Sequence, residues 1–190
     1  MDDVALLQKF QRTGDPSAFA DLVARYQNLV YSVCLRILED RQEAEDAAQA
    51  VFVVFFRKAS GIPKDTVLAG WLYRSAELTA LHVRRTAQRR AKHEREAHEV
   101  RSTSRDRQNS TWENVSSELD AALSALPVQQ RDAIILHYFM GRTQRDAARE
   151  VGCTEGAFGM RISRGLEALR ARLAAQGCTL TSVTLAGWLV

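Results

Sequence analysis

The sequence predicts an all-α protein made of two small helical domains joined by a polar linker, the second domain a helix-turn-helix. Three observations predict it. Only 10 Gly and 3 Pro interrupt 190 residues that are rich in Ala, Leu, Arg, Glu and Gln, the residues that lose least on entering a helix. Apolar side chains recur at three- and four-residue steps through two separate blocks. Between them, from Ala91 to about Ser117, charged and small polar residues dominate, with one aromatic (Trp112) and no apolar period, as in a linker or a frayed helical extension. The expected boundaries are 1–95 for the first domain, 96–117 for the linker, 118–176 for the second domain and 177–190 for an apolar tail.

Asp15-Pro16 opens a long helix, with Asp as cap and Pro at the first helical position. Behind it Phe19, Leu22, Val23, Tyr26, Leu29, Val30, Val33, Cys34 and Ile37 form one apolar stripe, which the polar stretch Glu39 to Gln42 breaks. A second helix places Ala44, Ala47, Ala48, Val51 and Phe55 on its inner face and ends at Gly61, Ile62 and Pro63. A third starts near Leu68 and runs through Trp71, Leu72, Ala76, Thr79, Ala80 and Val83 into a basic run. Order returns at Leu119, Leu123 and Leu126. Pro127 marks a turn, a helix carries Ile134, Ile135, Tyr138 and Phe139, and Gly141 caps its end.

The net charge of +3 is unevenly spread, at −2 over residues 1–60, +5 over 61–95, −3 over 96–122 and +3 over 123–190. Two basic blocks separated by an acidic one suit a polyanion-binding protein with two contact regions, and solvated helix faces produce the same pattern. Cys34, Cys153 and Cys178 are far apart and form no CxxC pair, so reduced thiols and a cytoplasmic setting are expected rather than a disulfide framework or zinc site. The chain opens on the acidic Met1-Asp2-Asp3, unlike a signal peptide, and Leu180 to Val190 is half the length of a membrane span. Phosphate-loop, HExxH and GxSxG motifs are absent, and His82, His93, His98 and His137 lack companions with ligand spacing. No enzyme, metal or cofactor is expected.

The strongest local signal runs from Thr143 to Phe158. It reads as a short helix, a three-residue turn Gly152-Cys153-Thr154 and a longer helix. Thr143 and Thr154 can cap the two helices, Ala147 and Ala148 let them cross closely, and Gly152 can supply the positive φ of the turn. With Phe158, Ile162, Leu166, Leu169 and Leu173 buried, the opposite side presents Gly156, Ala157, Met160, Ser163 and Arg164, flanked by Arg161. Such a face suits a major groove, while an ordinary helical hairpin with a basic face is the plainer alternative. A second signal is Glu43 to Phe56. Its acidic start complements the helix dipole, and its later part is apolar on two sides, as in a helix buried twice or one that keeps a side for a partner. The third is Trp71-Leu72-Tyr73-Arg74 with His82, Arg84, Arg85, Arg89 and Arg90 beyond it. Rings beside clustered arginines suit melting DNA, though Trp71 alone is commonly a core residue.

Taken in order, these segments resemble a bacterial RNA polymerase sigma factor of the extracytoplasmic-function type. Asp15 to Phe19, Ala44 to Phe52 and Trp71 to Arg74 resemble the family's second region. Leu123 to Pro127 and the helix-turn-helix ending Met160-Arg161-Ile162-Ser163-Arg164-Gly165-Leu166 resemble its fourth. The resemblance implies that Glu45, Asp46, Gln49, Phe52, Val53 and Phe56 dock on core RNA polymerase. It implies that Trp71, Tyr73, Arg74, His82, Arg84, Arg85 and Arg89 engage the minus-ten element of promoter DNA. Arg142, Thr143, Thr154, Gly156, Ala157, Met160, Arg161, Ser163 and Arg164 would engage the minus-thirty-five element. Leu126, Ile135, Tyr138 and Phe139 would form the core of the fourth region. An anti-sigma factor, or the chain's own C-terminal extension, would be the regulator. Leu78 and Gly159 depart from the family pattern, standing where relatives carry polar or basic residues. A stand-alone helix-turn-helix regulator is the alternative, and the Glu45–Phe56 helix discriminates, since a regulator has no use for it.

Overall fold

The computed structural model describes the backbone of residues 2–98 and 111–176, and the side chains of these residues except within 92–117. Among the described residues every regular element is a helix. They are α1 (Asp3–Thr13), α2 (Pro16–Leu38), α3 (Arg41–Lys58), α4 (Leu68–His98), α5 (Thr111–Ser124), α6 (Val128–Ile134), α7 (Gln144–Glu150) and α8 (Glu155–Ala175). A short 3₁₀ turn follows α3, and α6 runs on into a π turn at Ile135–Phe139.

The helix starts follow from side-chain chemistry. Asp15 accepts from the Ser17 amide at 2.9 Å beside Pro16, and Asp40 accepts from Glu43 at 2.8 Å. The Lys9 ammonium at 2.6 Å and Ser17 hold the Asp15 carboxyl down at about 2. Between α2 and α3 the chain turns at Glu39, whose φ of 59° is the one positive value outside glycine among the described residues. One helix was not anticipated. α1 is capped by Asp2, which accepts from Ala5, and ends at Gly14. Its signal was present in Leu6, Leu7 and Phe10, spaced three and four apart behind an acidic start.

The expected stripes bury as units. Leu22, Tyr26, Leu29, Val30, Val33, Cys34 and Ile37 of α2 meet Ala44, Ala47, Ala48, Val51 and Phe55 of α3 and Leu72, Ala76 and Ala80 of α4. Burial among them pushes the Cys34 thiol up to about 12, which leaves it inert at neutral pH. Phe158, Ile162, Leu169 and Leu173 of α8 pack with Leu123, Leu126, Ala133 and Ile134 in the same continuous core, and Leu166 is half-buried beside them. α4 reaches His98 and α5 begins at Thr111, so helix runs into both ends of the expected linker segment. Residues 99–110 and the expected tail at 177–190 lie outside the described residues.

Gly152 sits in the turn between α7 and α8 at φ 66°, where a side chain is strained. Gly156 lies in α8 with open space about it. Gly152→Ala should therefore cost ~1–2 kcal/mol of stability, whereas Gly156→Ala should gain up to ~1 kcal/mol. Chemical denaturation checks this contrast, and two effects of the same sign would contradict it.

Candidate nucleic-acid and partner interfaces

On α3 the apolar side turned inward is complete at Val51 and Phe55. Glu45, Asp46 and Gln49 point outward with Val53, 49% exposed, and Phe56, 57% exposed, while Phe52 is half-buried. Phe56 leans on Phe10 and Phe19 at 5.5 and 5.2 Å between centroids, so the exposed ring is held on an aromatic bed and its outer face is left open. An aromatic fixed in this way presents apolar area without having to be ordered by whatever binds it.

On α4 the expected residues divide. Leu78, His82, Arg85 and Arg89 follow one another at helical spacing and are exposed, with Arg84 half-buried beside them. Trp71 is half-buried against Phe55, 5.7 Å between centroids, and Arg74 pairs with Glu77 at 2.5 Å. Tyr73 corrects the expectation of a DNA-facing ring. It is fully buried, its hydroxyl donates to the Asp120 carboxylate on α5, and its ring meets Phe139 edge-on at 5.9 Å. Burial and the neighbouring Asp120 charge raise its pKa well above the usual phenol value. In this arrangement Tyr73 joins the two domains and does not face solvent.

In the second domain Thr143 accepts from the Asp146 amide at 3.1 Å and Thr154 from Ala157 at 3.2 Å, so both helices of the motif start where expected. Gly156, Ala157, Ser163 and Arg164 are exposed, as is Met160 at 53%. Arg161 is half-buried and turns into a cleft of about 670 Å³ that Trp71, Arg74, Asp132 and Phe158 also line. Arg142 points back toward the first domain, 3.7 Å from Asp3. Leu126 and Ile135 are buried as expected, while the half-buried Phe139 reaches across to Tyr73 and to Arg36, whose guanidinium carbon lies 5.2 Å from the ring centroid.

The sequence reading passed over the buried charges that hold the two domains together. Asp120, 2% exposed, accepts from Arg36 Nε at 3.1 Å and Nη2 at 2.9 Å and from Tyr73. Burial works against the Arg36 charge, but Asp120 and Tyr73 outweigh it and raise its pKa. Glu77, 3% exposed, takes Arg74 on one side and the Ser124 hydroxyl on the other. Asp3, 5% exposed, is held by Arg25 and Tyr26, with Arg142 beyond. Asp132 lies against Gly70, where an added Cβ would come 2.6 Å from its Cγ, so a larger residue there would force the Asp132 carboxylate to move. The available signal was an acid standing within an apolar helical stripe, as Asp120 does between Leu119 and Leu123.

The family description of sigma-70 region 2 matches residues 22–90, and that of sigma-70 region 4 matches residues 116–169. The ECF RNA polymerase sigma-E factor of Haemophilus influenzae is 30% identical over 91% of this chain and 96% of its own. The sigma-E factor of Escherichia coli is 30% identical over 89% and 93%. The RNA polymerase sigma-H factor of Pseudomonas aeruginosa is 28% identical over 88% and 91%. A solved structure described as CnrH in complex with the cytosolic domain of CnrY covers 91% of this chain and 97% of its own, at 21% identity and a TM-score of 0.44. The chain belongs to the extracytoplasmic-function group of RNA polymerase sigma factors, subunits that bind core polymerase and direct it to promoters. Among the described residues no helix is long and apolar enough to cross a membrane, and no group of side chains could hold a metal.

Burial raises the pKa of Asp132 from its ordinary 3.8, with Arg131 at 3.1 Å opposing it. A raised carboxyl favours folding while protonated and loses that contribution as the pH climbs through the folded value. Asp132→Asn should therefore match the wild type near pH 4 and melt higher at neutral pH. Paired thermal melts check this, and a variant that melts lower at neutral pH contradicts it.

Proposed function

We propose that the three exposed faces divide the work of transcription initiation. The α3 face, from Glu45 to Phe56, docks on core RNA polymerase. An acidic and polar rim beside an exposed aromatic suits a partner groove with a basic edge. The exposed stripe of α4, with Arg84, Arg85 and Arg89 and the ring of Trp71 at its start, holds the minus-ten element, phosphates on the guanidinium groups and unstacked bases on the ring and on Leu78. The start of α8, with Gly156, Ala157, Met160, Ser163 and Arg164, enters the major groove of the minus-thirty-five element. Arg161, Thr143, Thr154 and Arg142 flank it as backbone or base contacts.

The α3 face carries the reading. A stand-alone regulator would have its sequence-reading helix in α8 and no need of a second, partner-sized apolar surface on another domain. Nothing in this assignment calls for catalysis, a metal or a cofactor. The role is specificity, exercised in the cytoplasm where the polymerase works, with an anti-sigma factor or a C-terminal extension as the negative regulator.

Purified chain should co-elute with bacterial core RNA polymerase on a sizing column, and Asp46→Ala or Gln49→Ala should weaken that association at least fivefold with helicity intact. A chain that ignores core but shifts duplex DNA by itself would move the assignment to the stand-alone regulator.

A further inference from the structure

We infer that Leu78 is a specificity-determining residue of the α4 face and reads the 5-methyl group of one thymine; this rests on the assignment of α4 to the minus-ten element proposed above.

Exposure singles this side chain out. Among the described residues the exposed large apolar side chains are Val53, Phe56, Leu78, Val128 and Met160. Val53 and Phe56 belong to the α3 face, and Val128 and Met160 border one groove in the second domain. Leu78 stands alone on α4, 52% exposed. A lone leucine on a solvated surface needs no explanation. This one interrupts a cationic line, with Arg74 four residues before it, His82 four residues after it, and Arg85 and Arg89 beyond. A polyanion drawn onto those charges is brought against the leucine as well.

Placement then limits what the leucine meets. It is seven residues from Trp71 and seven from Arg85, two turns in each direction, or ~10.5 Å at the helical rise. Trp71 offers a ring to an unstacked base and Arg85 a charge to a phosphate, so Leu78 lies about three base steps from each. The nearest cation on the Trp71 side is already engaged, because Arg74 pairs with Glu77 at 2.5 Å and Glu77 also receives the Ser124 hydroxyl. A base that reaches this turn of α4 finds at position 78 a side chain with no hydrogen bond to give.

The chemistry of the bases decides which one gains from that. All four present donors or acceptors on the major-groove edge, and thymine alone adds a methyl group. Against leucine a donor or acceptor loses water and receives nothing in exchange, whereas a methyl group is buried at a gain. The same methyl group is offered by a paired and by an unstacked thymine. Leu78 therefore favours thymine over the other three bases, and over uracil, which lacks only the methyl group.

That last difference provides the test. The full chain with core RNA polymerase transcribes from a duplex library randomised across both promoter elements. The selected sequence is then transcribed with each minus-ten thymine replaced in turn by deoxyuridine. Wild type should show one thymine at which loss of the methyl group lowers transcripts about fourfold, the worth of one buried methyl group. Leu78→Ala, at an exposed position and with helicity retained, should give equal transcripts from thymine and uracil there and keep every other preference. Leu78→Asn should move the selected base at that position toward adenine, which an amide side chain bonds at two atoms. The ratio of thymine to uracil is internal to each protein, so a general loss of activity in a variant cancels.

A wild type indifferent to the methyl group at every selected position, or a ratio that persists in Leu78→Ala, overturns the role of Leu78 and leaves the α4 assignment standing. Arg85→Ala is the control for that assignment and should weaken transcription from all selected sequences alike. Transcription unchanged in Arg85→Ala, or a wild type that starts no transcripts with core, overturns the assignment itself and the role of Leu78 with it.

Discussion

One carboxylate holds the architecture in register. Asp120 stands almost fully buried where α2, α4 and α5 meet, and it accepts two hydrogen bonds from the Arg36 guanidinium and one from the Tyr73 hydroxyl. A buried carboxylate without partners is expensive, and truncating one member of such a pair costs ~3–5 kcal/mol. Its position is therefore tied to the first domain's main helices. From that point the rest of the second domain is placed. α5 packs on both α2 and α8, Phe139 fills the space beside Tyr73 and Arg36, and Asp132 of α6 settles against the bare backbone of Gly70. The Asp120 charge, with Tyr73, raises the Arg36 pKa against the cost of its burial, while burial and the Asp120 charge together raise that of Tyr73.

Membership of the sigma-70 group gives that geometry its meaning. The chain presents one outward face that is apolar and acidic, on α3, and two that are basic or small, on α4 and α8, and only the first is fully clear of the domain joint. If the faces of α4 and α8 each bind DNA weakly, they become effective together, when both are presented on one promoter at high local concentration. In the structure this division runs between elements, with α3 on one side and α4 with α5 to α8 on the other.

The helices and their inner faces were legible in the sequence because apolar period and capping chemistry are local. Asp15, Asp40, Thr143 and Thr154 mark helix starts through hydrogen bonds to residues two or three positions on, and Gly152 marks a turn through its own φ. The outward faces of α3 and α8 were legible for the same reason, being what remains once the stripe is assigned. The joint was not. Tyr73 reads as one more aromatic beside arginines, and only its tertiary partner, 47 residues along the chain, makes it a buried donor. Asp120 stands within the apolar stripe of Leu119 and Leu123, which hints at its burial, but its partners Arg36 and Tyr73 lie 84 and 47 residues away and no local pattern names them. α1 was within reach, since its spacing and its Asp2 cap are local, but it is short and precedes the first strong stripe.

The most direct measurement is energy transfer between dyes placed at Ala87 on α4 and Ala171 on α8, both exposed, in the background where Cys153 and Cys178 are serine. Cys34 is buried with its thiol pushed up to about 12, so it stays unlabelled. High transfer in the free chain, falling in the Asp120→Ala variant with helicity retained, is the result that the account requires. Transfer that is already low in the free chain, or that stays high in the variant, would contradict it.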